Sequence, residues 1–216
     1  MKKAIFIRSL CIAAVVACCP LQTRADTIAL SFTGGVPHDV GDFTATVGWA
    51  FHLDGPVAVT QLGLWDEGND GFITDHLMGI FNSTGTALAS VLIFSGPGGT
   101  LIDGFRYFPI LGGPLSLPAG NYSIGAQYVS QFTVTDNFTE SAGSITTASG
   151  LTYLGSQSAL GGFGAFPPGD ILGVPGSYFG PNFQFTPVTT PDSGSTVSLL
   201  GFVLLGLAAL RRKLSC

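Results

Sequence analysis

The chain has 216 residues, of which 46% are hydrophobic and only 10% are Asp, Glu, Lys or Arg, against about 25% charged in an ordinary soluble domain. Gly and Pro number 31 and 13, which is too much backbone punctuation for a helical bundle and predicts many short strands and turns. Between Asp26 and Thr190 Arg106 is the sole cation against twelve acids, a net charge of −11. That excludes a phosphate-neutralising surface and hence nucleic-acid binding.

In chain order, residues 1–25 read as a secretory signal peptide. Lys2, Lys3 and Arg8 open it, residues 10–19 are apolar, and Thr23-Arg24-Ala25 offers a cleavage point before Asp26. An alternative reading makes Val15-Val16-Ala17-Cys18 a lipobox with Cys18 as a lipidated N-terminus. Cys11, Cys18, Cys19 and Cys216 all lie in the terminal segments. The body therefore has no thiol for disulfides, thiolate metal sites or Cys catalysis.

The body, 26–187, alternates apolar and polar residues with period two, the pattern of half-buried strands. Strands are predicted at 28–32, 43–51, 57–65, 77–81, 87–94, 105–108, 115–117, 122–129 and 132–134, and a last one within 178–185. Asp54-Gly55-Pro56, Asn82 to Gly85 and Pro118 to Asn121 supply turns. The stretch 139–158 is small and polar and reads as a long decorated loop, followed by the Gly- and Phe-rich 161–169. These elements predict an all-β fold, an antiparallel β-sandwich that is jelly-roll-like or immunoglobulin-like. With no cross-link, an interleaf of Phe, Val, Leu and Trp side chains has to hold it together.

The segment 188–216 is a linker, the motif Pro191-Asp192-Ser193-Gly194, an apolar run over 197–210 and the basic tail Arg211, Arg212, Lys213. The 14 apolar residues give a helix of about 21 Å, a marginal transmembrane helix for a core of about 30 Å. The basic cluster prefers the cytoplasmic side, which leaves the body outside. This tripartite tail resembles the VPDSG-CTERM variant of the PEP-CTERM sorting signals, with Thr190 where the motif has Val. The resemblance implies a bacterial exported protein cut by an exosortase-type membrane peptidase at Pro191 to Gly194 and passed to the cell surface or matrix. It also implies an exopolysaccharide-producing cell. The stretch 49–127 resembles a domain common in such exported proteins, carried by Leu62-Gly63-Leu64-Trp65-Asp66, Gly104-Phe105-Arg106-Tyr107 and Leu117-Pro118-Ala119-Gly120-Asn121-Tyr122. That implies a β-sandwich without catalytic residues.

Within the body, the run from Asp66 to His76 could offer oxygens to calcium through Asp66, Asn69, Asp70 and Asp75, with Gly71 to bend it. It lacks the EF-hand pattern, and the other reading is a solvated inter-strand loop. His38, His52 and His76 read as solvated turn residues, since no nucleophile elbow or His-Glu-x-x-His motif accompanies them. Arg106 reads as paired with a neighbouring acid such as Asp103 or stacked on an aromatic, or as an anion clamp. Aromatics in 163–185 could stack on sugars or fill the core. The expectation is a non-enzymatic, exported surface or matrix protein with no obligatory cofactor. A carbohydrate-binding module for exopolysaccharide is the second reading, and a secreted hydrolase with facing carboxylates the third.

Overall fold

The computed structural model describes residues 25–41, 43–129, 136–140, 143–166 and 178–188. The signal segment, the strand predicted at 132–134, the sorting motif, the apolar C-terminal run and the basic tail lie outside the described residues. Among the described residues there is no α-helix, and none long and apolar enough to cross a membrane. The strands are β1 (Thr27–Ile28), β2 (Leu30–Thr33), β3 (Val36–His38), β4 (Thr44–Leu53), β5 (Val57–Trp65), β6 (His76–Asn82), β7 (Ala87–Ile93) and β8 (Thr100–Ile102). They continue with β9 (Phe105–Pro109), β10 (Leu115–Leu117), β11 (Gly120–Val129), β12 (Phe138–Glu140), β13 (Ser144–Thr147), β14 (Leu151–Leu160), β15 (Tyr178–Phe179) and β16 (Pro181–Pro187).

Every pairing is antiparallel. One sheet runs β1-β16-β5-β9-β8, with β10 also on β5, and the other runs β14-β4-β11-β6-β7. The pairs nest: the β6–β7 hairpin is innermost, then β5–β9, then β4–β11, with β1–β16 outermost. Two small sheets, β15-β12-β3 and β13-β2, complete the fold.

The two large sheets share one core because their alternating residues point at each other. Ala45, Val47, Trp49, Phe51 and Leu53 of β4 meet Val59, Leu62 and Leu64 of β5 and Phe183 and Phe185 of β16. Trp49 stacks on Phe183 at 5.9 Å and 17°, and its indole N–H donates to the Pro181 carbonyl at 2.7 Å. In β5 the apolar phase switches from Val57 and Val59 to Leu62 and Leu64. The β5–β16 ladder slips at that place, between Gln184 and Phe185, so a bulge absorbs the extra residue.

The stretch predicted as a decorated loop is instead β13 and β14. β14 pairs with β4 from Leu151 to Leu160, with an irregularity at Tyr153/Gly155. An edge strand carrying Ser156 and Ser158 across from Trp49 and Val47 shows little apolar alternation, and the bulge breaks what there is. The following segment packs Phe163 and Phe166 on Phe81, at 4.8 and 5.0 Å.

Three glycines, Gly48, Gly125 and Gly79, stand in register across β4, β11 and β6. A Cβ on Gly48 would come 1.9 Å from the Ile124 carbonyl oxygen and 2.8 Å from the Gly125 Cα. Both atoms are backbone and yield little. Gly48→Ala is expected to lose about 1–3 kcal/mol of stability, as overpacking does. Gly55→Ala, with nothing within 4 Å of the new Cβ, should stay within about 0.5 kcal/mol. Urea unfolding of the pair checks both.

Candidate functional site

The described residues concentrate their charge chemistry at the end of β5, where Trp65 leads into the acidic loop. Arg106 of β9 lies across from Leu64. Its Nε donates a short hydrogen bond to Asp66 Oδ2. Nη1 donates to the Pro97 carbonyl at 2.8 Å and Nη2 to the Asn69 carbonyl at 2.9 Å. The Arg106 and Asp66 side chains are 7% and 1% exposed, so the body's one cation is buried and neutralised. Its partner is Asp66, not the neighbouring Asp103 expected from sequence. Asp103 belongs to the β8–β9 turn, whereas Asp66 lies directly beyond the strand that β9 pairs with.

This geometry gives two members of the candidate calcium set other partners. Asp66 is committed to Arg106 and to the Gly71 N–H, at 3.1–3.2 Å. Asp75 accepts from the Ser95 N–H at 2.7 Å, while Asn69 and Asp70 are exposed. Among the described residues no group of three or more His, Cys, Asp or Glu is placed to hold a metal.

A second knot lies at the start of β6, and no local motif announces it. His76, read as solvated, is 1% exposed, and its Nε2 donates to Asp136 Oδ2 at 2.9 Å. Its Nδ1 donates to the Gln127 carbonyl at 2.8 Å. Asp136 also accepts the N–H groups of Ile73 and Thr74, each at 2.8 Å, and the Thr74 hydroxyl at 2.9 Å. Burial pushes the Asp136 carboxyl up, but the hydrogen bonds from His76, Ile73 and Thr74 and the His76 charge outweigh it. The group is held below its ordinary value. Tyr128, ring to ring with His76 at 5.1 Å, has a buried hydroxyl without a partner among the described residues. Burial, and then the Asp136 charge, pushes its pKa far up. Sixty residues separate His76 from Asp136, so no local spacing could announce the pair.

The other histidines behave as expected from sequence. His52 is partly exposed, with Asn121 Oδ1 at 2.6 Å and Asp54 at 3.8 Å, and His38 faces Glu140 at 3.2 Å across β3–β12. Of the aromatics in 163–185, Phe166, Tyr178, Phe179, Phe183 and Phe185 are buried, which spends them on packing.

The two knots fix the loop around Trp65, whose indole remains partly exposed. Trp65 lines both a groove of about 400 Å³ and a hollow of about 150 Å³.

Residues 191–214 match the family model described as the VPDSG-CTERM motif, which covers Pro191 to Gly194 and the basic tail. No curated protein and no solved structure matches the chain.

Proposed function

We infer, from a VPDSG-CTERM sorting signal at residues 191–214, that this is an exported protein handled by an exosortase-type system and delivered to the cell surface or matrix. The tail match is the single observation that carries the reading. The order of its parts supports a division of labour: a motif for the peptidase, an apolar run of 14 residues for the bilayer and a cationic stop on the cytoplasmic side. The body is read as a jelly-roll sandwich, on the nesting of β6–β7, β5–β9, β4–β11 and β1–β16. Its role is taken as non-enzymatic: His76 is 1% exposed, and the Asp136 carboxylate is engaged by His76, by the Ile73 and Thr74 N–H groups and by the Thr74 hydroxyl.

Intact-mass measurement of the protein from the producing cells and from their medium tests this. The expected product has lost the signal segment up to about Ala25 and everything beyond the Pro191–Gly194 motif. Replacing Asp192-Ser193-Gly194 by alanines should leave the apolar run and Arg211-Arg212-Lys213 attached and the protein in the membrane fraction. Normal release of that variant, or a wild-type product that keeps its basic tail, overturns the reading.

A further inference from the structure

Trp65 stands in an arrangement that packing alone does not require. Phe32 meets it edge-on at 6.2 Å and is itself braced by Phe105 at 5.8 Å and Phe179 at 5.4 Å. The indole is therefore held rigidly while part of it faces solvent. Unlike that of Trp49, its N–H has no partner among the described residues. The larger groove is floored by Ile28, Phe32 and Phe105 and rimmed by Ser31 and the exposed carboxylate of Asp103. The smaller hollow, which Trp65 also lines, is bounded by Glu67, Asp70, Asp136 and Asn137. Behind this face lies Tyr107, 1% exposed, with a hydroxyl that lacks a partner among the described residues.

The electrostatics of the two cavities have one sign. Arg106 could have balanced them, but it is buried on Asp66 and the Pro97 and Asn69 carbonyls. Carboxylates thus line both cavities that Trp65 borders, in a body of net charge −11. Such a site repels phosphates, sulfates and uronates and attracts cations. A Trp face favours both the apolar face of a sugar ring and a nearby ammonium.

We propose that Trp65 and its two flanking cavities bind a polysaccharide bearing protonated amines, of glucosamine type. One ring stacks on the indole. Asp103 of the groove and Asp70 of the hollow take the amines of that ring and its neighbour through charge-assisted hydrogen bonds, with Ser31 of the groove available to a hydroxyl. The choice of a polysaccharide over a basic peptide rests on the exported-surface reading; the binding measurement below does not, so either can fail alone.

The test is titration of the full chain in detergent with a fully deacetylated glucosamine hexamer, followed by calorimetry and by tryptophan emission. Trp65 and the fully buried Trp49 are the two tryptophans, so an emission change that vanishes in Trp65→Phe reports the site. The N-acetylated hexamer and a glucose hexamer should bind at least about tenfold more weakly, and so should the glucosamine hexamer to Trp65→Ala, the loss of one anchoring contact. The Asp70→Asn, Asp103→Asn double variant should weaken the glucosamine hexamer alone, and so should raising the salt. Trp65→Phe should keep the wild-type urea midpoint and bind the glucosamine hexamer within about fivefold, since a smaller aromatic face remains. Absence of binding, equal binding of the acetylated hexamer, tighter binding of an oligolysine, or indifference to the double aspartate change would each overturn the proposal.

Discussion

Arg106→Ala is expected to cost about 3–5 kcal/mol, because it strands Asp66 as an uncompensated buried charge. In a chain of this size that corresponds to a fall of about 10 °C in the melting temperature. The guanidinium also satisfies the Pro97 and Asn69 carbonyls, so its removal loosens the start of the loop 66–76 and its link to the Pro97 segment. Arg106→Lys should recover only part of the loss, since an ammonium cannot reproduce the fork that reaches a carboxylate and two carbonyls together. The paired change Asp66→Asn, Arg106→Met should sit closer to wild type than Arg106→Ala, because no charge is left unpaired. Urea unfolding of the four proteins checks the order. An Arg106→Ala protein as stable as wild type would mean that the pair is not buried.

Asp136→Ala is the second large effect, again about 3–5 kcal/mol for breaking a buried pair from one side. It deprives His76 of a partner and leaves the Ile73 and Thr74 N–H groups unsatisfied together. The same group predicts a pH dependence. Its folded-state pKa lies below the ordinary carboxylate value of 3.8, so the folded state binds the proton less tightly than the unfolded chain. The stabilisation is therefore complete above about pH 4–5 and drains away as the pH falls through 3.8 towards the lowered native value. Asp136→Asn should flatten that acid limb of the stability curve while lowering the plateau. An acid limb identical in wild type and Asp136→Asn would sink the assignment.

Both knots hold the ends of one loop, and both are built from residues far apart in sequence: Asp66 with Arg106, and His76 with Asp136. Their common consequence is a held segment beside Trp65, which lines two cavities. A loop tied by buried pairs can present a side chain to solvent without collapsing onto it, which fits a site on the outer surface rather than a catalytic cleft.

Much of the architecture was legible in the chain because period-two alternation is a local signal. The strand over 57–65 falls where the pattern puts it, and so does the Asn82 to Gly85 hairpin, whose Asn82 carboxamide accepts the N–H groups of Thr84 and Thr86. β14 was missed because an edge strand with serines and a bulge carries little alternation. His76 was misread because burial of a polar ring depends on a partner sixty residues away.

By itself, the sequence determined the all-β antiparallel class, the thiol-free acidic body and the sorting tail, since each follows from composition or from a short contiguous motif. Tertiary structure alone decided which acid neutralises Arg106, that His76 is interior, and that Phe166, Tyr178, Phe179, Phe183 and Phe185 are buried while Trp65 is partly exposed. Those outcomes depend on which strands become neighbours. Antiparallel pairing joins residues by register across long loops, and register is a property of the assembled sheets rather than of any one segment.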